Sequence, residues 1–193
     1  MNDNPLLVCA LEDEFRYSGQ KFDLLYTGVG KINAAISVTE FLCKNPLPPY
    51  VINFGTAGSK KIPVGSLVDC TKFIQRDMDA SVLGFEKYET PFEDRDFKVI
   101  EFSKFERNPI KTYSLCATGD SFIHNENHNH LGDVFDMEAY AIAKICFKYK
   151  ISFISFKYIS DGAESGAEIE WSENVSKGTR IFTQDVLEPL NLV

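Results

Sequence analysis

The sequence predicts a single α/β domain that spans residues 1–193, and three of its features support that fold class. Short runs rich in β-branched and aromatic residues alternate with longer amphipathic stretches, which is typical of layered α/β proteins. Several runs are apolar on both faces, as parallel strands covered by helices are. A length of 193 residues also suits one domain with a sizeable core.

The strands and helices are predicted from the period of the apolar residues. Strands are predicted at residues 6–11, 24–26, 51–54, 66–68, 113–117 and 151–159. Helices are predicted at residues 31–43, 137–149 and 174–187, with Ser172 as the N-cap of the last one. Residues 84–108 are charged and aromatic, which indicates a hairpin or an exposed loop.

The composition argues against several classes of partner. The formal net charge is −8 at pH 7, which provides no basic surface for a nucleic acid or an anionic membrane. Apolar runs stay below the roughly 20 residues of a membrane helix, and the polar N-terminus does not resemble a signal peptide. The five cysteines are scattered without a CxxC pair, which indicates free thiols in a reducing compartment. We therefore expect a cytoplasmic protein that binds neither nucleic acid nor membrane.

Four predicted strands end in glycine or polar residues. In open α/β sheets ligands bind beyond the carboxyl ends of the strands, where the loops converge. Each of these endings alone is also ordinary turn chemistry, but four together predict one shared crevice. They lie at residues 11–14 (Leu-Glu-Asp-Glu), 55–58 (Gly-Thr-Ala-Gly), 119–122 (Gly-Asp-Ser-Phe) and 160–162 (Ser-Asp-Gly).

Three acidic residues are candidates for chemistry, and two of them lie in these endings. Glu138 heads an apolar helical stripe, where it either stabilises the helix N-terminus or accepts hydrogen bonds from a vicinal diol. Asp161 follows the longest apolar strand, where it either forms an Asx-turn or acts as a general acid with a raised pKa. Glu14 belongs either to a solvated acidic turn or to a site that orients water.

Two further motifs have weaker functional interpretations. All three histidines fall within residues 124–130, but the segment is polar and has no apolar helical face to fix a tetrahedral zinc site. We therefore expect a solvated loop and no metal. Residues 28–31 (Gly-Val-Gly-Lys) either cradle an anion at a helix N-terminus or only permit a tight strand-to-helix turn.

Eight segments in this order resemble the nucleoside phosphorylase and hydrolase superfamily, most closely its 5′-methylthioadenosine/S-adenosylhomocysteine nucleosidase branch. The resemblance implies a three-layer phosphorylase/hydrolase-like fold with a central mixed, mostly parallel sheet. It also implies a homodimer, a small-molecule adenine nucleoside as ligand, and no metal or organic cofactor. The segments are residues 10–14, 28–31, 51–58, 64–68, 76–79, 119–123, 136–139 and 159–161.

The resemblance gives the three acidic residues distinct roles. Asp161 matches the acid that protonates N7 of adenine, so that the base leaves neutral. Glu14 matches the carboxylate that positions the attacking water. Glu138 matches the residue that holds the ribose hydroxyls. Cleavage of a glycosidic bond through an oxocarbenium-like sugar needs such groups on opposite sides.

The resemblance also assigns the substrate-binding residues. Met137 is expected to pack beneath the sugar and Phe122 to stack on the purine. The backbone of Ile123 is expected to contact the base edge. Thr56 occupies a site-lining position usually held by serine, and Trp171 corresponds to an aromatic residue that closes over the 5′ substituent.

Water is a more suitable acceptor than phosphate for this sequence. Phosphorylases of the superfamily carry an arginine where this chain has Asn53, and the first turn, residues 12–14, is acidic. A phosphate dianion beside such carboxylates is disfavoured. Arg76 is the cation that would change this conclusion, and its neighbours Asp77 and Asp79 are its expected partners.

We therefore expect hydrolysis of a 5′-modified adenine nucleoside to adenine and the free sugar. Methylthioadenosine, S-adenosylhomocysteine, 5′-deoxyadenosine and an aminofutalosine-like nucleoside all remain possible substrates. One alternative is a phosphate-dependent purine nucleoside phosphorylase. Another is a catalytically impaired homologue that only binds nucleosides.

Overall fold

The structure, a computed structural model, describes residues 4–17, 21–93, 98–102, 105–124 and 131–193. Its centre is a mixed sheet of eight strands in which five strand pairs are parallel and three are antiparallel. The strands are β1 (Leu6–Cys9), β2 (Asp23–Tyr26), β3 (Tyr50–Gly58), β4 (Leu67–Gln75), β5 (Ile100–Glu101), β6 (Ser114–Thr118), β7 (Val134–Asp136) and β8 (Ser152–Asp161).

The strand pairings bring the middle of the sheet into a closed ring. β3 pairs with β8, β8 with β4, β4 with β6, β6 with β7, and β7 returns to β3. β1 and β2 extend the sheet from β3, and β5 lies at the other edge beside β4. The ring contains two antiparallel pairs, β4 with β8 and β3 with β7, so its strands do not all run in one direction.

Helices cover both faces of the sheet and give the predicted three layers. On one face, α1 (Lys31–Lys44) and α2 (Ala139–Tyr149) pack side chains such as Val38 and Ile142 against the strands. On the other face, α4 (Gly178–Phe182) continues into a π-helical turn (Thr183–Leu187). There the ring of Phe182 stacks on Phe54 with their centroids 4.1 Å apart. The prediction of a three-layer, mixed, mostly parallel α/β fold is confirmed.

The prediction for the C-terminal helix is wrong. Instead of one helix at residues 174–187 capped by Ser172, the chain forms α3 (Ala167–Asn174), which contains Ser172, and then α4. Gly178, the first residue of α4, lies so close to β8 that an added Cβ would be 2.7 Å from Cβ of Tyr158. The Asn174 side chain also donates a hydrogen bond to the Ser160 carbonyl, 2.9 Å away. These contacts cannot be recognised from helical periodicity.

Two other expectations need correction. β4 continues to Gln75, well past the predicted end at residue 68, and β7 was not predicted. β7 has only three residues, and its last, Asp136, is acidic, so neither a period nor an apolar run marks it. Residues 84–108 contribute the short strand β5, paired antiparallel with β4. No helix among the described residues is long and apolar enough to cross a membrane.

A buried ion pair connects β8 to the end of β7. The Lys157 ammonium lies 2.8 Å from Oδ2 of Asp136, and the two side chains are 1% and 0% exposed. Oδ1 of Asp136 accepts a hydrogen bond from the Thr118 hydroxyl at 2.5 Å, and Oδ2 accepts one from the Ala139 N–H at 2.8 Å. Burial would lower the pKa of Lys157, but the Asp136 charge and hydrogen bond, together with the charges of Cys116 and Glu138, raise the pKa above its ordinary value.

Replacing Lys157 with Met should lower the free energy of unfolding by about 3–5 kcal/mol, because Asp136 then stays buried without a cation. In Lys157→Met/Asp136→Asn the loss should be smaller than the sum of the two single losses, since no buried charge is left unpaired. Urea denaturation of the four proteins measures this.

The matched control is Lys61→Met. The Lys61 ammonium lies 2.9 Å from Oδ1 of Asp133, but the two side chains are 62% and 38% exposed, so its loss should change stability little. Strictly additive losses in the Lys157 and Asp136 series would contradict the ion-pair interpretation.

Candidate active site

A cavity of about 210 Å³ lies at the carboxyl ends of the strands. Its wall contains residues that end or follow β1, β3, β4, β6, β7 and β8. All eight predicted site residues line it, although they are far apart along the chain: Glu14, Thr56, Phe122, Ile123, Met137, Glu138, Asp161 and Trp171. The four strand endings therefore share one crevice.

The Glu14 carboxylate is buried at the cavity wall, and both of its oxygens accept hydrogen bonds. Its Oε1 accepts hydrogen bonds from the N–H and the hydroxyl of Thr56, both at 2.7 Å, and its Oε2 accepts one from the Leu11 N–H at 3.3 Å. The Trp171 indole N–H donates to the same Thr56 hydroxyl at 3.0 Å. Glu14 is only 5% exposed, so the alternative of a solvated turn is wrong for this residue. The contacts fix both the carboxylate and the indole at the cavity wall.

Glu138 stands at the N-cap position of α2, but its side chain does not cap that helix. Instead its Oε1 accepts a hydrogen bond from the Gly30 N–H, 2.7 Å away, at the start of α1. Asp136 takes the capping role through the Ala139 N–H. Burial, followed by the nearby Asp136 charge, raises the pKa of Glu138 to about 8, while Lys157 opposes the shift. The carboxyl therefore keeps a proton at neutral pH when the cavity holds no ligand.

The N-terminus of α1 offers no open anion site. The Gly30 N–H donates to Glu138, and the Lys31 N–H donates to Oδ1 of Asp120 at 2.8 Å. The Lys31 ammonium lies 2.6 Å from Oδ1 of Asp77. Two carboxylates of the chain itself thus occupy the positions that an anion would take.

Asp161 ends β8 and is 3% exposed. Its Oδ2 accepts a hydrogen bond from the Ser160 hydroxyl at 2.8 Å, and its Oδ1 accepts one from the Ala163 N–H at 3.0 Å. The second contact is an Asx-turn, so the structural role is present together with a position on the cavity wall. Burial raises the pKa of Asp161 above its ordinary value, although both hydrogen bonds oppose that shift. Such a carboxyl is suited to deliver a proton.

The apolar part of the wall contains Met137, Phe122, Ile123 and Trp171. The Phe122 side chain is 40% exposed, so its ring is accessible to a flat ligand. Met137 lies between the two carboxyl residues Asp136 and Glu138 in the chain. Flat apolar surfaces beside convergent polar groups are the usual walls of a small-molecule site.

Several functional residues were not recognised in the sequence. Asp136 lines the cavity and Lys157 supports it, and neither received a role because their partners are distant in the chain. Arg76 also lines the cavity, but its expected partners are wrong: it donates to Gly119 and Ser121. Asp77 instead pairs with Lys31. The sequence did contain one signal for Lys157: a charged residue within an apolar strand, here β8, indicates a buried partner of opposite charge.

Asn53 and the histidine segment lie outside this arrangement. Asn53 is buried, donates to the Val8 carbonyl at 3.0 Å and accepts from the Ser155 hydroxyl at 2.8 Å. It is not one of the cavity residues. Of the histidine segment only His124 is within the described residues, and residues 125–130 lie outside them. In the described part of the chain no cluster of side chains is suited to hold a metal.

Known proteins resemble this chain in sequence and in fold. The sequence profile of the phosphorylase superfamily matches residues 14–188. The chain is 30% identical, over 92% of its length and 84% of the relative, to the 5′-methylthioadenosine/S-adenosylhomocysteine nucleosidase of Haemophilus influenzae strain PittEE.

Two solved structures have the same fold at low sequence identity. A futalosine hydrolase mutant from Helicobacter pylori strain 26695 has a TM-score of 0.85 at 17% identity, with 98% of this chain and 99% of that chain covered. A mutant Helicobacter pylori MTAN with 5′-methylthioadenosine in its active site has a TM-score of 0.84 at 18% identity, with 99% of both chains covered. The chain belongs to the phosphorylase superfamily and, within it, to the family of 5′-methylthioadenosine/S-adenosylhomocysteine nucleosidases.

Proposed function

We propose that this protein hydrolyses the N-glycosidic bond of a 5′-modified adenine nucleoside to give adenine and the free sugar. The observation that carries the proposal is the convergence of Glu14, Glu138 and Asp161 on one cavity with an apolar wall. The nucleosidase relative supports the same reaction. Methylthioadenosine and S-adenosylhomocysteine are the preferred substrates, and the first would connect the reaction to methionine salvage.

Asp161 acts as the general acid. Its raised pKa keeps a proton available at higher pH than an exposed aspartate would. Transfer of that proton to N7 of adenine lets the glycosidic electron pair leave with a neutral base. Since positive charge develops on the sugar as the bond breaks, the buried carboxyl groups around it stabilise the transition state more than the substrate.

Glu14 and Glu138 act on the sugar. The carboxylate of Glu14, held by Thr56 and Leu11, orients water for attack at the anomeric carbon after the base departs. Glu138 accepts hydrogen bonds from the ribose hydroxyls when it is ionised. This arrangement of an acid at the leaving group and a separate carboxylate at the water follows the logic of inverting glycosidases.

Water is the acceptor because the cations at and beside the cavity are held by groups of the chain itself. Lys157 is paired with Asp136 and Lys31 with Asp77. The terminal nitrogens of Arg76 donate to Gly119 and Ser121. A phosphate dianion would therefore have to displace the contacts of Arg76 to gain a cation, and it would meet the buried carboxyl groups beside it.

We also propose that the protein is a cytoplasmic homodimer. Apolar side chains are exposed along the start of α1 and in the turn after β4: Val29, Ile32, Ile36, Val82 and Leu83 are between 43% and 93% exposed. Val29 also lines the cavity, so a second copy on this surface would cover its mouth. The five cysteines are free, including the exposed Cys43, as in proteins of a reducing compartment.

Replacing Asp161 with Asn should reduce kcat by about 100-fold or more, since a positioned general acid contributes roughly that factor or more. Nucleoside affinity should remain within a few-fold, because the proton is needed chiefly in the transition state. Adenine release and calorimetric binding of methylthioadenosine measure the two quantities. Asp185→Asn, an exposed aspartate on the π-helical turn, is the control. Normal turnover in Asp161→Asn would refute the assigned role.

Nucleoside affinity should increase with pH through the pKa of Glu138, about 8. Below that pH Glu138 is protonated, and it must lose its proton before it accepts both ribose hydroxyls. In the slow Asp161→Asn background the dissociation constant should fall by up to about tenfold per pH unit below pH 8 and level off above it. Adding Glu138→Gln should weaken binding and remove the pH dependence. The hypothesis fails if the single variant shows a flat profile.

Introducing Ile32→Glu and Ile36→Glu together should convert the dimer to a monomer, because both charges would be buried in the contact. Sedimentation velocity measures the state, and the KM for 5′-alkylthio substrates should rise when the second copy no longer covers the cavity. The control is Leu47→Glu, which places a negative charge on a half-exposed leucine outside this surface. It should leave the dimer intact. A dimer that survives the double substitution would exclude this surface.

A further inference from the structure

Arg76 is a buried cation on the cavity wall, and its contacts go to a single turn. It follows β4 directly and is 2% exposed. Its Nη1 donates to the Ser121 hydroxyl at 3.0 Å, and its Nη2 donates to the Gly119 carbonyl at 3.0 Å and to the Ser121 carbonyl. Nε is buried without a hydrogen-bond partner among the described residues. The two terminal nitrogens therefore hold residues 119–121.

This turn leads into the two residues that the superfamily resemblance places against the base. Phe122 and Ile123 come immediately after Ser121 and line the cavity, but neither belongs to a helix or strand. The other contacts of the turn lie further back, from the Gly119 N–H to the Asp136 carbonyl at 3.1 Å and around Asp120. Arg76 is the side chain that fixes Ser121, directly before the stacking ring.

The fit between Arg76 and the turn is close. A Cβ added at Gly119 would lie 2.9 Å from Cζ of Arg76 and 3.0 Å from its Cγ, so the guanidinium packs against bare backbone. Arginine holds two acceptors at once because its donors form a rigid planar fork, which the lysine ammonium cannot reproduce. Burial lowers the pKa of Arg76, and the charges of Asp77 and Asp136 oppose that shift. A buried cation that donates mainly to neutral acceptors is a costly way to hold a turn if only stability is needed.

We propose that Arg76 is a positioning residue that determines base specificity: its fork holds the 119–121 turn so that Phe122 and Ile123 present a fixed edge to a 6-amino purine. This inference rests on the proposed function, because it requires the base to lie beside these residues. Adenine and hypoxanthine have the same shape but opposite hydrogen-bonding groups at position 6. If the backbone beside the base is fixed in place, it rejects the base with the opposite hydrogen-bonding groups, because a buried polar group would then stay without a partner. An edge that moves can adapt to either base.

The test compares an adenine nucleoside with the hypoxanthine nucleoside that carries the same 5′ group. The ratio of their kcat/KM values, measured on one sample, does not depend on how much of the protein is folded. In Arg76→Gln this ratio should fall at least about tenfold, because charged hydrogen bonds are lost. Arg76→Lys should not restore it, since the ammonium keeps the charge but not the fork. Ser121→Ala, which removes one neutral acceptor, should lower it about two- to threefold.

The control is Asn108→Ala. Asn108 is 2% exposed, accepts a hydrogen bond from the Ile110 N–H at 3.1 Å, and is not among the cavity residues. Its loss should lower the melting temperature without changing the ratio. If Arg76→Gln and Ser121→Ala both keep the wild-type ratio, Arg76 only stabilises the fold and the inference is wrong.

The same experiment separates this inference from the proposed function. A wild-type protein that releases neither base refutes the proposed hydrolysis, and calorimetric binding of free adenine and free hypoxanthine then supplies the ratio instead. Lower selectivity in Arg76→Gln by that measure supports the positioning role without turnover. Unchanged selectivity overturns it. If Arg76→Gln does not fold, the selectivity of Ser121→Ala decides by the same criterion.

Discussion

The buried ion pair between Lys157 and Asp136 is the constraint on which the site geometry depends. An aspartate in this interior remains ionised only with a cation beside it. Once ionised, Asp136 accepts hydrogen bonds from Thr118 and from the start of α2. The turn that carries Met137 and Glu138 is therefore fixed to β6 and β8 at once. The buried ion pair thus holds the residues beside the cavity in fixed positions, as a site that acts on a small ligand requires.

The same pair also determines how charge is distributed among the neighbouring carboxyl groups. Asp136 pairs with the buried ammonium, whereas Glu138 accepts one backbone hydrogen bond, and burial, followed by the Asp136 charge, raises the pKa of Glu138. Asp161 is supported by a hydroxyl and an N–H, and burial raises its pKa too. In the proposed function, Asp161 gives its proton to the leaving base, and Glu138 loses its proton when it accepts hydrogen bonds from the ribose hydroxyls. A site rich in carboxyl groups stabilises a cationic sugar and disfavours an incoming dianion.

Much of the fold could be predicted because buried strands and amphipathic helices leave strong local patterns. The apolar runs predicted β3 and β8, and the periodicity predicted α1 and α2. The predicted bounds of the C-terminal helix were wrong, and the close contact between Gly178 and Tyr158 is one that no local pattern encodes. β7 was missed because three residues are too few to show a period.

The sequence by itself determined the layered α/β fold, the order of the strand endings and the acidic side chains that they carry. Only the tertiary structure decided which groups meet. Glu138 accepts from Gly30, 108 residues away, and Glu14 from Thr56, 42 residues away. It also decided that Arg76 donates to a turn and not to its neighbours Asp77 and Asp79. Hydrogen bonds and pKa shifts depend on distance and burial, and these are properties of the folded chain.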